Sequence, residues 1–270
     1  MKTYPTDHIY NVGLFAHGGA GKTSLAEAML FDSKTITRLG RVDEGNTVSD
    51  YDAEEVKRRM SVNTTPLPFE WAGRKINLLD TPGYADFVGE VAAAMVAVDG
   101  AVIVLCAASG VEVGAETAWT LAERRKLPRL LFLNKMDRDN ANFQRTLQQA
   151  QEMLNRSIIP LQLPIGAESS FTGVIDLLRM RALRYTRERD GQFEETDIPA
   201  DLRDQAEEAH LALIEKIAET DDALIEKYLE GGELTAEEMQ EGLRRGVRQG
   251  SIIPVLCGSA TLNIGVQPLL

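Results

Sequence analysis

Short apolar runs alternate with stretches of helical periodicity along the first 160 residues. The runs NVGLFA, INLLD, AVIVLCAA and RLLFLN are followed in turn by TSLAEAMLF, ADFVGEVAAAMVAV, AETAWTLAERR and ANFQRTLQQAQEML. Apolar residues recur at helical spacing in each of these longer segments. Strands that alternate with helices predict a parallel sheet covered on both faces, and near-continuous Val, Ile and Leu runs are typical of such buried strands. The pattern therefore predicts an α/β fold with a mostly parallel sheet.

Two stretches break this alternation. Residues 32–65 are polar, charged and weakly periodic, and a connection that long inside a compact domain is usually functional or disordered. Beyond Pro164, FTGVIDLLRMRALRYT predicts a short β-region, DGQFEETDIPA a turn and linker, and residues 201–248 three acidic amphipathic helices. Thr235 and Glu238 have the spacing of a capping box at the start of the last helix. SIIPVLC then returns to strand character.

This return predicts an insertion. We expect residues 161–251 to form an acidic α+β subdomain within an α/β domain made of residues 1–160 plus 252–270. The chain ends on GVQPLL in mid-pattern, which favours a fragment of a larger multidomain protein.

Composition and charge fit this division. Hydrophobic residues make up 44% of the chain, which supports a sizeable core. Residues 188–241 hold 19 Asp or Glu and 4 Lys or Arg, a charge of −15 against −12 for the whole chain, so the remainder carries +3 and could contact phosphate.

No apolar run is long enough to span a membrane and MKTYPTDHIY lacks signal-peptide features, so we expect a cytoplasmic protein without a membrane partner. Cys106 and Cys257 lie in apolar runs and are predicted to be buried free thiols.

The segment AHGGAGKTS follows a predicted strand and opens a predicted helix, the context of a phosphate-binding P-loop. Small residues let backbone N–H groups turn inward around a polyphosphate, and the helix N-terminus adds partial positive charge. Lys22 would neutralise the β- and γ-phosphates, and the Thr23 hydroxyl would bind Mg²⁺. The first motif position is Ala16 and not Gly, so the match is to a looser form of the motif. An ordinary glycine-rich turn between a strand and a helix is the alternative. The candidate phosphate-binding residues are Ala16, His17, Gly18, Gly19, Ala20, Gly21, Lys22, Thr23 and Ser24. No acid pairs with His17 in the sequence, which favours a packing role for it.

DTPG ends the strand-like run INLLD, at the sheet edge where ligands bind in open α/β folds. Asp80 could hold Mg²⁺ through a water molecule, because this ion retains much of its hydration. Gly83 would let a backbone N–H approach the γ-phosphate. Without the P-loop, the same four residues would more often be a plain turn.

NKMD begins with the last residue of another strand-like run, RLLFLN, and GSA follows the run IIPVLC. A carboxylate at Asp137 could accept two hydrogen bonds from guanine, whereas adenine would leave it unpaired or repelled. Asn134 would tie the base to the P-loop, and the stem of Lys135 would cover the base. Backbone N–H groups at Ser259 and Ala260 could reach the guanine carbonyl oxygen. The four motifs together predict a P-loop NTPase fold with guanine specificity.

In this order the motifs resemble those of translational GTPases, and most closely the elongation factor G group. AHGGAGKTS is similar to that group's AHxDAGKTT and DTPGYADFVGEV to its DTPGHVDFTxEV, while LNKMDR and PVLCGSA match nearly letter for letter. The resemblance covers the whole chain, including the insertion. It implies a GTP-hydrolysing domain that uses Mg²⁺ and acts on the ribosome as a monomer, with the stalk protein and large-subunit RNA as expected contacts. The acidic helices could equally be a solvated face that needs no partner.

Departures from the family pattern lie where hydrolysis would occur. The family histidine that orients the attacking water is replaced by Tyr84, and the family Asp and its apolar neighbour in the P-loop by Gly19 and Gly18. Ser61 aligns with the family threonine that contacts Mg²⁺ and keeps a hydroxyl. A phenol cannot become a cation near neutral pH as an imidazole can, so we predict slow hydrolysis with Tyr84 at the water-positioning place and Lys22 on the phosphates. Paralogues with this tyrosine are called elongation factor G-like proteins.

Two other functions stay open from the sequence. The chain could be a nucleotide-dependent binding switch with little or no hydrolysis, which Tyr84, Gly18 and Gly19 would favour. A P-loop ATPase or kinase is the third possibility, and NKMD argues against it.

Overall fold

The computed structural model describes residues 2–186, 188 and 190–270. Its strands are β1 (Ile9–Ala16), β2 (Thr65–Trp71), β3 (Arg74–Asp80), β4 (Gly100–Cys106), β5 (Arg129–Asn134), β6 (Ile158–Pro160), β7 (Gln162–Ile165), β8 (Gly173–Asp176), β9 (Arg181–Tyr185), β10 (Phe193–Thr196) and β11 (Ile253–Cys257). Its α-helices are α1 (Lys22–Asp32), α2 (Ala53–Arg58), α3 (Val88–Ala97), α4 (Val113–Arg124), α5 (Phe143–Met153), α6 (Arg203–Ala218), α7 (Asp222–Leu229) and α8 (Ala236–Gln249).

Seven of these strands form one sheet in the order β2-β3-β1-β4-β5-β11-β6. Neighbouring strands are parallel except for β2, which is antiparallel to β3. Side chains alternate between the two faces along β1: Leu14 packs with α1, and Phe15 packs with α3 and α4. Helices therefore cover both faces, as the apolar pattern predicts, and the P-loop NTPase fold class is confirmed.

Strand β2 is not predicted by the sequence pattern. Its sequence TPLPFEW contains Pro66 and Pro68, which cannot donate hydrogen bonds to a neighbouring strand. The structure places β2 at the edge of the sheet, where both prolines are exposed while Leu67 and Phe69 are buried. An edge strand tolerates proline because one side of its backbone has no partner strand.

The inserted region contains a second, four-stranded antiparallel sheet in the order β10-β9-β8-β7. The expectation of a turn and linker over DGQFEETDIPA is wrong in part, because Phe193–Thr196 form β10 and pair with β9. Helices α6, α7 and α8 occupy the segment predicted as three helices, and Thr235 and Glu238 form the predicted capping box.

The insertion shares a core with the rest of the chain. Leu163, Val174 and Ile217 from the inserted region join one buried cluster with Leu131 and Leu133 of β5. The insertion is therefore packed against the sheet through apolar side chains. Cys106 and Cys257 are buried free thiols, as predicted.

Within the described ranges, no α-helix combines the length and the apolar character that crossing a membrane requires.

Candidate nucleotide site

The segment between β1 and α1 makes a tight turn at the edge of the sheet. Gly21 precedes the first residue of α1 with φ +96°, a backbone conformation that side chains disfavour. A Cβ on Gly21 would also lie 2.5 Å from Asn134 Nδ2. The helix therefore begins at Lys22 with its N-terminus open toward the same edge, where backbone N–H groups and the helix dipole favour an anion.

A cavity of about 520 Å³ opens in front of this helix N-terminus. Its walls include most of the predicted phosphate-binding residues together with residues of the polar connection between α1 and β2. The predicted site residues that line it are Gly18, Gly19, Gly21, Lys22, Thr23, Ser24, Ser61, Gly83, Tyr84, Lys135 and Ala260. Lys22 is 6% exposed, and a Cβ on Gly83 would lie 2.5 Å from Lys22 Nζ, so the Gly83 backbone lies against the ammonium group.

Hydroxyl and carboxylate oxygens gather at one end of the cavity. Thr23 Oγ1 lies 3.1 Å from Ser61 Oγ, and Ser61 Oγ donates to Asp50 Oδ1 at 2.7 Å. Ser49 Oγ donates to Asp80 Oδ2 at 2.7 Å. The other oxygens of these two carboxylates, Asp50 Oδ2 and Asp80 Oδ1, are buried and accept no hydrogen bond from any described residue.

These unpaired oxygens fit a hard cation. Burial raises the pKa of Asp80, and the nearby positive charge of Lys22 opposes this shift. Burial also lowers the pKa of Lys22 and raises that of Asp50 to about 6. Each group is therefore ionised at a cost that a neighbouring opposite charge would offset. Oxygen ligands of this type suit Mg²⁺.

The opposite end of the site is organised by Asn134 at the end of β5. Its Nδ2 donates to the carbonyl oxygen of Ala20 at 2.9 Å, and its Oδ1 accepts from the Ala260 N–H at 3.0 Å. Lys135, with φ +64°, donates from Nζ to the carbonyl oxygen of Gly19. Asn134 and Lys135 thereby connect the P-loop to the two strand ends that carry NKMD and GSA.

Asp137 and Ser259 lie beside this connection. Asp137 Oδ1 is buried and has no hydrogen-bond partner in the described chain. Ser259 is fully buried, and its Oγ accepts from the Leu262 N–H at 3.2 Å and shares a 3.3 Å contact with Thr261 Oγ1. The Ser259 hydroxyl therefore shapes the GSA turn.

Tyr84 covers the P-loop. A Cβ on Gly18 would lie 2.8 Å from Tyr84 Cζ and 2.9 Å from its Cε1, so the phenol ring occupies the space next to Gly18. The side chain remains 43% exposed.

The remaining predicted residues face away from the cavity. Ala16 and Ala20 are buried in the core that contains α1. His17 Nδ1 accepts from the Gly114 N–H at 3.3 Å, and its Nε2 lies 3.8 Å from Glu112 Oε1. An acid therefore does lie near His17, although it is far away in the sequence.

The family model described as "Elongation factor Tu GTP binding domain" matches residues 7–270. The chain belongs to this family of translational GTPases. It is accordingly a GTP-binding GTPase domain of the P-loop class.

A solved structure is also similar to this translational GTPase. The crystal structure of a protein from Thermus thermophilus superposes with a TM-score of 0.91 at 38% sequence identity, over 97% of this chain. The matched region is 39% of the Thermus chain, so this sequence spans well under half the length of that protein.

Three residues of this GTPase site escape the sequence motifs. Asp50 and Ser49 lie in the polar connection after α1, where several other acidic residues and hydroxyls give the same signal. Arg59 also lines the cavity and has φ +55°.

Proposed function

We propose that this chain is the Mg²⁺-dependent, slowly hydrolysing GTPase domain of a ribosome-associated elongation factor G-like protein. The observation that carries the proposal is the position of Tyr84, whose ring lies over Gly18 beside the cavity that Lys22 and Thr23 line. Membership of the family supports binding and hydrolysis of GTP. Tyr84 is the residue on which the expectation of slow hydrolysis depends.

At the phosphate end, Lys22 neutralises the β- and γ-phosphates, while the Gly83 N–H contacts the γ-phosphate. Thr23 and Ser61 would hold Mg²⁺ through their hydroxyls, and Asp80 would do so through a water molecule. We add Asp50 to this set, because it lines the cavity and its buried Oδ2 has no partner among the residues that the structure describes. Bound at these residues, Mg²⁺ would supply positive charge against the negative charge that develops on the phosphates.

At the base end, the Asp137 carboxylate accepts two hydrogen bonds from guanine. Asn134 holds the P-loop and the GSA turn at a fixed separation, and the stem of Lys135 covers the base. The Ala260 N–H donates to Asn134 and the Ser259 N–H to the Ile264 carbonyl oxygen, so a contact with the guanine carbonyl oxygen would have to share one of these hydrogen bonds. Ala16, His17 and Ala20 act indirectly, since they position the P-loop from behind.

Slow hydrolysis follows from the chemistry at residue 84. A water molecule must be oriented for in-line attack on the γ-phosphate. Tyr84 can donate or accept one hydrogen bond there, but it cannot supply the positive charge of an imidazolium. Its packing on Gly18 also fixes the ring against the P-loop.

A second candidate function is a binding switch that uses GTP with little or no hydrolysis. The same contact between Tyr84 and Gly18 favours it, because a phenol fixed in this way could shield the γ-phosphate from water.

Several further features belong to this proposal. We place the GTPase domain at residues 1–160 plus 252–270 and the acidic subdomain at residues 161–251, within a longer multidomain protein. We expect a monomer in the cytoplasm that contacts the ribosomal stalk protein and large-subunit RNA.

Single-turnover GTP hydrolysis with and without ribosomes tests the proposal. We expect slow intrinsic turnover, stimulation by ribosomes, and a further rise of about 100-fold in Tyr84→His, the lower end of the usual range for a positioned acid or base. Absence of ribosomal stimulation in both proteins would favour the switch. Stimulation that Tyr84→His leaves unchanged would show that another residue limits the rate, such as Gly18 or Gly19.

A further inference from the structure

Helix α1 carries one charged side chain within an otherwise apolar stretch. Glu27 is 1% exposed and is preceded and followed by buried residues of TSLAEAMLF. No lysine, arginine or histidine in the described residues lies within salt-bridge distance of its carboxylate. A buried carboxylate without a counter-charge must be stabilised by hydrogen bonds.

Backbone N–H groups of the polar connection supply those hydrogen bonds. Glu27 Oε2 accepts from the Gly40 N–H at 3.1 Å, and Oε1 accepts from the Val48 N–H at 2.5 Å. Burial raises the pKa of Glu27, while the N–H groups of Val48, Gly40 and Ser49 act in the opposite direction. A single side chain on the P-loop helix thus binds two separate points of the segment that leaves that helix.

The segment between these points forms part of the cavity wall. Gly40, Arg41, Val42 and Asp43 all line the cavity, and so does Asp50, just beyond Ser49. Ser49 in turn donates its hydroxyl to Asp80. Glu27 is therefore connected, through two adjacent residues, to a carboxylate of the candidate metal site.

A second buried carboxylate acts within the connection itself. Glu55 Oε1 accepts from the N–H groups of Val62 and Asn63 at 2.9 and 3.0 Å, and Glu55 Oε2 accepts from the Asp52 N–H at 3.3 Å. These bonds hold the later part of the connection to α2. They do not attach it to the P-loop helix, whereas the bonds of Glu27 do.

We propose that Glu27 is a positioning residue that clamps residues 40–49 onto the P-loop helix and so keeps this wall of the nucleotide cavity closed. The clamp acts on the loop whether or not nucleotide is bound. Its effect on nucleotide release rests on the proposed function, and its effect on the loop does not.

The test compares three variants of the full chain. Glu27→Gln keeps the size of the side chain but places an amide N–H donor where a carboxylate oxygen accepts. Gly40→Ala attacks the same contact from the loop, since its Cβ would lie 2.9 Å from the Asn46 carbonyl oxygen and against the Glu27 carboxylate. Asp32→Asn is the matched control, because Asp32 is on α1 but bonds to Asn263 at 2.6 Å.

The first measurement is limited trypsin digestion of nucleotide-free protein, with cleavage mapped at the exposed Arg38 and Arg41. We expect about tenfold faster cleavage there in Glu27→Gln and Gly40→Ala, the effect of losing one charge-assisted hydrogen bond. Asp32→Asn should match the wild type. The second measurement is dissociation of a fluorescent GDP analogue, which should also be about tenfold faster in the first two variants.

Unchanged cleavage in a folded Glu27→Gln would overturn the clamp. If Glu27→Gln does not fold, Gly40→Ala decides by the same criterion, because its change lies in the loop. Faster cleavage with unchanged GDP release would support the clamp but place the nucleotide away from this wall, which would contradict the proposed site instead. Equal acceleration in Asp32→Asn would show general loosening of α1 and would also overturn the clamp.

Discussion

The two ends of the candidate nucleotide site are built in different ways. At the base end, Asn134 connects Ala20 and Ala260 through buried hydrogen bonds, and the Met136 N–H donates to the Gly258 carbonyl oxygen at 3.1 Å. These groups lie at the ends of adjacent strands β5 and β11, whose positions the sheet fixes. At the phosphate end, Ser49, Asp50 and Ser61 come from a long connection held by side-chain carboxylates.

Under the proposed function, this difference would separate nucleotide binding from hydrolysis. The base end keeps the sequence of the family motifs and is supported by the sheet. The phosphate end contains the departures at residues 18, 19 and 84, and its wall depends on local hydrogen bonds. A change at the base end should therefore alter which nucleotide binds, whereas changes at the phosphate end should alter metal use and rate.

The largest expected effect is at the base end. Asp137→Asn should weaken GTP binding by about 100-fold, because the amide presents a donor where the carboxylate accepts from guanine. Binding of xanthosine triphosphate should strengthen, since the xanthine ring offers a carbonyl oxygen at that position. Competition against a fluorescent GDP analogue measures both affinities.

Asp139→Asn is the matched control, because Asp139 is an exposed carboxylate two residues away. It should leave both affinities unchanged. Wild-type GTP affinity in Asp137→Asn would remove Asp137 from the base site and would end the contrast between the two ends.

The sequence predicts the base end better than the phosphate end for a physical reason. Asn134 ends one apolar strand and the GSA turn follows another, and parallel strands bring their carboxyl ends to one edge. Asp50 and Glu27 have no such guide, because their roles depend on how a non-periodic connection folds back on α1. Strands β2 and β10 escape the sequence pattern for a related reason, since edge strands are short or contain proline and depend on their neighbours.

The second prediction concerns pH at the phosphate end. Burial raises the pKa of Asp50 to about 6, so its carboxylate is mostly ionised at pH 7 and mostly protonated at pH 5. Mg²⁺ must displace that proton to bind. The Mg²⁺ concentration that gives half of its effect on GDP binding should therefore rise about tenfold as the pH falls from 7 to 5. Magnesium titrations against a fluorescent GDP analogue at several pH values measure this effect.

Asp50→Asn should weaken Mg²⁺ binding and reduce its pH dependence, although Asp80, whose pKa is also raised by burial, can retain part of it. In EDTA, the affinity of the wild type should vary little over this pH range, because the base end contributes no such carboxylate–metal contact. An identical pH dependence in Asp50→Asn and the wild type would contradict a metal-binding role for Asp50.

The smallest expected effect tests how closely Tyr84 packs on the P-loop. Gly18 has no positive φ, so an alanine there is strained only by the ring it would meet, at 2.8 Å from Tyr84 Cζ. We expect Gly18→Ala to lower the free energy of unfolding by about 1 kcal/mol, because the half-exposed ring can shift in part. In a Tyr84→Ala background the same substitution should cost almost nothing. Urea unfolding of the four proteins of this cycle gives the coupling energy. A coupling near zero would mean that the ring moves freely, and the slow hydrolysis that we propose would then depend on the chemistry of the phenol and not on its packing against Gly18.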